Sequence, residues 1–217
     1  MKRVLLAVIT EGDVTLAHFC SSLVQSVKEG LAADVELFPV FPASEGNWPM
    51  AFNKMATIAW QEKLDGLLCI SPRVSWSADS LLALVNTDKD AVAMPVATKA
   101  GFQVQLGEIA RLQEDESTGE VKVRGTSLEF FYLSSYALDR LCTTHPLVNY
   151  RGQEVKLLIQ SGDIYDSYFD PADILAYRLR EQGIEIWLST KHTAHRQDVI
   201  EYPNDFSKVL VELKANG

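Results

Sequence analysis

The chain has 217 residues, a hydrophobic content of 47% and a formal net charge of −9 at pH 7. This composition is that of an ordinary globular protein of about one domain, and it excludes a disordered, collagen-like or coiled-coil chain. The acidic balance argues against nucleic acid or an anionic membrane as a partner, because both depend on clustered Lys and Arg side chains. No run approaches the ~20 apolar residues of a membrane span.

Cysteine usage and the first residues predict a cytoplasmic protein. Cys20, Cys69 and Cys142 are odd in number and belong to no C-x-x-C pair, so we expect buried free thiols in a reducing compartment. The apolar run at 4–9 is short and is followed by acidic residues, so it predicts a buried strand rather than a signal peptide.

Strand-like and helix-like segments alternate over the first hundred residues. Runs rich in β-branched residues and leucine predict strands at 4–9, 35–41, 66–70 and 92–96. Apolar residues at helical spacing predict helices at 15–30, 50–63 and 78–86, with Gly30 ending the first and Ser77 capping the third. This order predicts an α/β fold with a mixed, mostly parallel sheet flanked by helices. Ligands bind such sheets at the carboxyl ends of the strands, here 10–12, 39–42 and 71–73.

The second half of the chain contains fewer helices. The segments at 102–112 and 120–124 are predicted to pair around an acidic turn at 114–119. Further predictions are a strand at 127–133, a short helix at 135–141, an irregular segment at 143–170, a helix at 173–182 ended by Gly183, a strand at 185–188 and a weakly helical tail. The common phosphate-binding loops, the G-x-S-x-G elbow and zinc-type Cys/His spacing are all absent from the sequence.

A series of polar landmarks follows the predicted strand ends and helix starts. In chain order they are Thr10-Glu11 after the first strand, Ala51-Phe52-Asn53 at a helix start, Ser71-Pro72-Arg73 after the third strand with Trp76 beyond it, Gly125-Thr126, Asp170 and Asp173 at a helix start, and His195-Arg196. In order and spacing over residues 4–202, these landmarks resemble the compact, GT2-like glycosyltransferases of the GT-A type that bacteria and phages carry.

The resemblance implies a single GT-A-like domain over 1–217. Its nucleotide-binding half would cover about 1–100 and its acceptor half about 101–202, followed by a C-terminal tail at 203–217. The residues that it implies for binding a nucleotide sugar are Thr10, Glu11, Asn53, Ser71, Arg73 and His195. Asp173 or Asp170 would be the base that deprotonates an acceptor hydroxyl. The acceptor stays open between a glycan, a small molecule and a modified nucleobase.

The sequence departs from the family at the metal site. Metal-dependent members bind Mn²⁺ or Mg²⁺ through an Asp-x-Asp motif, and Ser71 and Arg73 occupy those positions here. Hard divalent cations prefer carboxylate oxygens, and the charge of Arg73 would repel them. We therefore expect no divalent metal and no other cofactor. A guanidinium at this strand end can instead place positive charge on a leaving diphosphate, with Lys99 or Arg196 assisting Arg73.

Two functions fit these substitutions, and the sequence leaves both open. The first is a metal-independent glycosyltransferase. The second is a catalytically inactive relative that binds a nucleotide or a protein partner. Structural roles also stay open for single residues: Arg73 as a solvated surface residue after a strand, Asn53 as a helix-start residue, and Asp173 as a first-turn acid favoured by the helix dipole. Two roles stay open for Trp48 and Trp76, which either flank the cleft and stack on a sugar or base or belong to the core.

Overall fold

The structure is a computed structural model that describes residues 1–9, 17–42, 47–98, 101–108, 112–160, 162–164, 167–197 and 201–202, with 211 and 214–215 near the end. Its centre is an eight-stranded mixed sheet with helices on both faces. The described residues include no helix that is long and apolar enough to cross a membrane. The predicted helical tail lies almost entirely outside them.

The elements follow one another in a largely alternating order. The helices are α1 (Ala17–Ala32), α2 (Trp48–Gln61), α3 (Ala78–Val85), α4 (Ser135–Thr144) and α5 (Pro171–Glu181). The strands are β1 (Lys2–Val8), β2 (Val35–Val40), β3 (Gly66–Ile70), β4 (Val74–Trp76), β5 (Ala91–Ala93), β6 (Ala97–Thr98), β7 (Gly101–Phe102), β8 (Val104–Gln105), β9 (Glu114–Asp115), β10 (Glu120–Val123), β11 (Gly125–Thr126), β12 (Phe130–Ser134), β13 (Leu147–Tyr150), β14 (Gln153–Lys156), β15 (Gly162–Ile164), β16 (Ser167–Phe169), β17 (Ile186–Ser189), β18 (Ala194–Gln197) and β19 (Glu201–Tyr202).

The central sheet has the strand order β2-β1-β3-β12-β5-β17-β10-β9. β1 pairs in parallel with β2 and β3, and β17 pairs in parallel with β5. β12 and β10 each run antiparallel to both of their neighbours. The other six strands therefore share one direction, which confirms the predicted mixed, mostly parallel sheet. We call the edge where these strands end the carboxyl edge and the opposite edge the amino edge.

Both faces of the sheet are buried. Successive side chains of a strand point to opposite faces, so neighbouring residues of one strand belong to different core clusters. In β1, Leu5 and Ala7 belong to one core cluster, whereas Leu6 and Val8 belong to another. Helices α2, α4 and α5 pack on the first face, and helices α1 and α3 pack on the second. Continuous apolar runs, rather than alternating ones, are what such doubly covered strands require.

A small three-stranded sheet, which we call the ribbon, lies beside the second face of the central sheet at its carboxyl edge. In it β4 pairs antiparallel with β18, which also pairs with β19. The ribbon is anchored by Trp76, whose ring meets those of Phe19 and Phe130 edge to face at centroid distances of 5.2 and 5.3 Å. Trp76 is thus a core residue, one of the two roles that the sequence left open for it.

The structure departs from the sequence predictions in several places. The strand β4 was not predicted, because three residues after a proline give no readable pattern. The segment 143–170 is not irregular: it contains the hairpins β13–β14 and β15–β16. Polar residues on both faces hide the first hairpin in the sequence, although Arg151 and Gly152 at its turn, with φ of 51° and 82°, are typical of a two-residue loop.

A further departure concerns the first helix. α1 continues past Gly30 to Ala32, and Gly30 lies buried inside it. A Cβ at Gly30 would lie 2.9 Å from the carbonyl oxygen of Val35, so this glycine permits a close approach to β2 instead of ending the helix. In the same helix Cys20 is exposed, against expectation, whereas Cys69 and Cys142 are buried.

Candidate functional site

The chain leaves β3 at the carboxyl edge through a turn that is held from both sides. The amide of Ser71 donates to the carbonyl oxygen of Glu129 at 2.8 Å, and the amide of Gln197 donates to the carbonyl oxygen of Arg73 at 2.8 Å. Within the turn, the Arg73 amide donates to the Ser71 hydroxyl at 3.3 Å. Arg73 itself is exposed. The turn is therefore a fixed platform from which an arginine side chain projects at the strand end.

The ribbon beside this turn carries His195 and Arg196. His195 stands opposite Ser75, and Arg196 stands opposite Val74. Because neighbouring side chains alternate, the two residues point to opposite faces of the ribbon. His195 is half-buried, and its Nδ1 atom has no hydrogen-bond partner in the part of the chain that the structure describes.

Arg196 points toward the core, where its guanidinium forms an ion pair with the Glu129 carboxylate. The side chains are only 14% and 26% exposed, so solvent screens this pair less than a surface pair. Glu129 is the functional-site residue that the sequence analysis missed. It immediately precedes β12, and its partners are 58 and 67 positions away, Ser71 and Arg196. No local pattern marks such a residue.

The residues at this strand end do not fit a divalent cation. The two positions of the expected Asp-x-Asp motif are a hydroxyl and a guanidinium, whereas Mg²⁺ and Mn²⁺ are held mainly by carboxylate oxygens. The carboxylate of Glu129 is paired with Arg196. Over the described residues as a whole, no group of three or more His, Cys, Asp or Glu side chains is placed to hold a metal.

The two acidic candidates lie at the first turn of α5. Asp170 is the N-cap, and its Oδ1 accepts a hydrogen bond from the Asp173 amide at 2.9 Å. The Oδ1 atom of Asp173 accepts a hydrogen bond from Gln105 Nε2 at 2.5 Å. Because α5 leads into the start of β17 at the amino edge, its first turn lies toward the carboxyl edge. The first turn of α5 and the turn that carries Arg73 thus lie toward the same edge of the sheet.

Gln105 reaches Asp173 across a glycine. Gln105 belongs to β8 and stands opposite Gly125 of β11. A Cβ at Gly125 would lie 3.2 Å from Gln105 Oε1 and 3.5 Å from Ala176 Cβ on α5. The absence of a side chain at Gly125 leaves room for the Gln105 amide between the strand and the helix. Gly125 is one of the landmarks visible in the sequence, whereas no local pattern marks its partner Gln105.

Asn53 is in the interior rather than at a ligand-facing surface. Its Nδ2 donates to the carbonyl oxygen of Ile159 at 2.8 Å. Its Oδ1 accepts from the amides of Leu158 and Ile159 at 3.0 and 2.9 Å. The side chain has no exposed surface. It fastens the segment after β14 to α2, a role different from both the ligand contact and the helix-start position that the sequence left open.

The remaining predicted residues are Thr10, Glu11, Lys99 and Trp48. Thr10, Glu11 and Lys99 lie outside the described residues. Trp48 is half-buried at the start of α2, and its ring stacks on that of Phe52 at a centroid distance of 6.0 Å. Among the predicted residues, the structure therefore brings Ser71, Arg73 and His195 together at one strand end, with Asp170 and Asp173 at the same edge of the sheet.

Comparison with solved structures finds this fold in other proteins. No protein-family model matches the chain, and no curated protein matches it in sequence. Protein A197 from STIV has a TM-score of 0.54 at 13% identity, with 91% of this chain and 86% of that chain covered. The catalytic domain of Drosophila β1,4-galactosyltransferase 7, solved with xylobiose, has a TM-score of 0.51 at 8% identity, with 87% of this chain and 65% of that chain covered.

At such low sequence identity, the similarity to these structures shows the fold alone. The chain has an α/β fold built on a large mixed sheet flanked by helices, as the sequence predicts, and this fold is similar to that of the galactosyltransferase domain. It spans just under two thirds of the galactosyltransferase chain, so what that enzyme does is not carried over with the fold.

The buried position of Asn53 generates a stability prediction. Asn53→Ala removes three hydrogen bonds to the backbone of Leu158 and Ile159. At about 1 kcal/mol per bond, with buried groups left unpaired, the free energy of unfolding should fall by about 2–4 kcal/mol. Urea denaturation measures this. The control Asn86→Ala, at the exposed C-cap of α3, should change it by less than about 0.5 kcal/mol. Equal losses would contradict the structural role.

Proposed function

We propose that this chain binds a nucleotide-activated sugar at the carboxyl edge of the sheet and transfers the sugar to an acceptor hydroxyl without a divalent metal. The observation that carries the proposal is the placement of Arg73. It is an exposed arginine on a turn fixed from both sides, at the end of β3, in a fold that nucleotide-sugar transferases use.

Arg73 has the chemistry that the leaving group needs. When the bond between the sugar and the diphosphate breaks, negative charge develops on the phosphate oxygens. A guanidinium can meet two of these oxygens at once with parallel hydrogen bonds. Because the turn is already held by Glu129 and Gln197, its backbone need not reorganise when charge develops. Thr10 and Glu11 remain the residues that we expect beside the nucleotide, and His195 the residue beside the sugar diphosphate.

Asp173 is the preferred base. Its carboxylate would take the proton of the acceptor hydroxyl while the hydroxyl oxygen bonds to the anomeric carbon and the electrons of the broken bond pass to the diphosphate. The hydrogen bond from Gln105 orients the Asp173 carboxylate. Asp170 is less suited, because its carboxylate is the N-cap of α5, and taking a proton there would weaken the start of the helix.

The acceptor that we favour is a glycan. The similar galactosyltransferase domain was solved with xylobiose, a disaccharide. The net charge of −9 disfavours a duplex nucleic acid, which would need a cationic surface. Small molecules with a sugar-like hydroxyl stay within the same chemistry.

A second candidate function is an inactive relative that binds a nucleotide or a protein partner. The observation that favours it is the structural use of two family landmarks: Asn53 fastens a segment in the interior and Asp170 caps a helix. Both residues would be retained for the fold even if catalysis had been lost. Transfer activity, rather than donor binding, separates the two candidates.

The first prediction of the proposed function concerns donor binding. In a thermal-shift screen in EDTA, one of the UDP-, GDP-, CMP- or TDP-sugars should stabilise the protein. A ligand at ~100 times its Kd contributes about 2.7 kcal/mol, which is a shift of several degrees at this size. Arg73→Ala should raise the Kd for that donor about 10- to 100-fold, because it removes charged hydrogen bonds to phosphate.

Arg140 on α4 supplies the matched control, since it is also exposed but lies on another element. Arg140→Ala should leave the donor Kd unchanged. If no donor shifts the melting temperature, or if the two arginine variants bind the donor equally, the site at the end of β3 is refuted.

Loss of the base is the second prediction. Asp173→Asn should lower the transfer rate at least 100-fold while the donor Kd changes less than threefold, because general-base catalysis contributes ~10²–10⁴-fold. Progress of transfer to oligosaccharide acceptors measures the rate. Asp79→Asn, which alters a comparable first-turn acid on α3, is the control and should retain the rate.

Variants of Asp170 and Asp173 also show which of the two aspartates is the base. Asp170→Asn keeps a capping side chain, so it should preserve both fold and rate if Asp173 is the base. A loss of rate in Asp170→Asn alone would assign the base to Asp170. A wild-type protein that binds its donor yet transfers to no acceptor would favour the inactive relative.

A further inference from the structure

A cleft lies at the amino edge of the sheet, away from the site proposed above. It has a volume of about 460 Å³. Two of its lining residues, Val123 and Ile186, are paired with each other, and Ile186 is the first residue of β17. Ile186 also stands beside Ala91, the first residue of β5. The cleft is therefore at the end of the strands opposite to Arg73.

Three cationic side chains line this cleft in a chain that is acidic as a whole. They are Lys122 on β10, Arg124 after β10 and Arg180 near the end of α5. Glu108 and Glu185 also line it, and Glu185 forms an ion pair with Lys122. The lining thus has one more cation than it has carboxylates, whereas the chain carries a net charge of −9.

Both arginines are exposed, and each has a defined neighbour beside the cleft. The Arg180 guanidinium donates a hydrogen bond to the carbonyl oxygen of Arg124, which ties α5 to the end of β10. The Arg124 side chain lies over Gly107: a Cβ there would be 3.2 Å from Arg124 Nε, and Gly107 has a φ of +80°. A larger residue at 107 would meet both a strained backbone and the arginine. The hydrogen bond to Arg124 therefore positions the Arg180 guanidinium beside the cleft, and Gly107 leaves room for the Arg124 side chain.

The rest of the lining is aliphatic apart from Gln113 and two glycines. Leu106 is half-buried, and Val123, Ile184 and Ile186 are buried side chains at the base of the cleft. Small-molecule sites commonly combine an apolar lining of ~300–1,000 Å³ with a few convergent polar groups. An apolar wall with cationic groups matches a ligand that joins an oxyanion to an apolar body.

We propose that this cleft binds a small molecule with a phosphate or carboxylate group attached to an apolar portion. Arg124 and Arg180 bind the oxyanion, because a guanidinium fork matches either group with parallel hydrogen bonds. The aliphatic side chains cover the apolar portion. This site requires neither a nucleotide sugar nor the residues at the end of β3, so it does not rest on the proposed transfer reaction.

Methyl NMR on protein labelled at Ile, Leu and Val tests the proposal site by site. The probes are phenyl phosphate, benzoate, inorganic phosphate and benzyl alcohol. Phenyl phosphate or benzoate should shift the methyl signals of Leu106, Ile184 and Ile186 in a saturable way. Inorganic phosphate and benzyl alcohol, which each carry half of the required chemistry, should bind at least tenfold more weakly than the better of the two aromatic anions.

Variants identify the groups that bind the oxyanion. Arg124→Gln and Arg180→Gln should each raise the Kd of that probe at least tenfold. Arg124→Gln retains the backbone carbonyl that Arg180 contacts, so the α5 connection stays intact in that variant. Arg140→Gln and Arg73→Ala are the controls, and both should leave the Kd at this cleft unchanged.

The proposal is overturned if neither aromatic anion shifts these three methyl signals at millimolar concentration. It is also overturned if folded Arg124→Gln protein binds the probe as tightly as the wild type. Comparison of phenyl phosphate with benzoate then decides which oxyanion the cleft prefers. Donor binding at the end of β3, measured separately, would be unaffected by either result.

Discussion

Glu129 is the residue on which the geometry of the carboxyl edge depends. Its backbone carbonyl accepts the amide of Ser71 at the end of β3, and its carboxylate pairs with Arg196 on β18. One residue at the start of β12 thereby joins the central sheet, the turn that carries Arg73 and the ribbon that carries His195. Without the Glu129 carboxylate, the ribbon would lose its charged link to the central sheet, and the turn that carries Arg73 would depend on its backbone hydrogen bonds and on the packing of Trp76.

The same contacts explain how charge is distributed at this edge. Arg196 has its countercharge in Glu129, so it serves the architecture, whereas Arg73 lies on the exposed side of the turn. A metal-binding site would need the opposite arrangement, with carboxylates directed into the open edge. A hydroxyl and a guanidinium at these positions suit phosphate oxygens instead. The proposed reaction therefore assigns to one cationic side chain the stabilisation of a leaving diphosphate.

The sequence could predict the elements whose signal is local. The apolar runs of β1 and β3 and the helical spacing of α2 and α5 identified the sheet and its helices, and the rule that ligands bind at strand ends selected 71–73. The β13–β14 hairpin was missed because its side chains are polar on both faces. Glu129 and Gln105 could not be found, since their roles depend on partners 58 and 68 positions away, Ser71 and Asp173. The sequence places Asn53 near the start of α2, but no local pattern shows that its side chain is buried in the core.

The central claim is that a diphosphate is bound at the end of β3 without a divalent cation. Isothermal titration calorimetry of the stabilising nucleotide sugar, in EDTA and again with excess Mn²⁺, tests it most directly. The account predicts Kd values that agree within about twofold, because a contribution of 1.4 kcal/mol from a bound metal would already change the Kd tenfold. Binding that is seen only with Mn²⁺, or that tightens tenfold or more with it, would contradict the account.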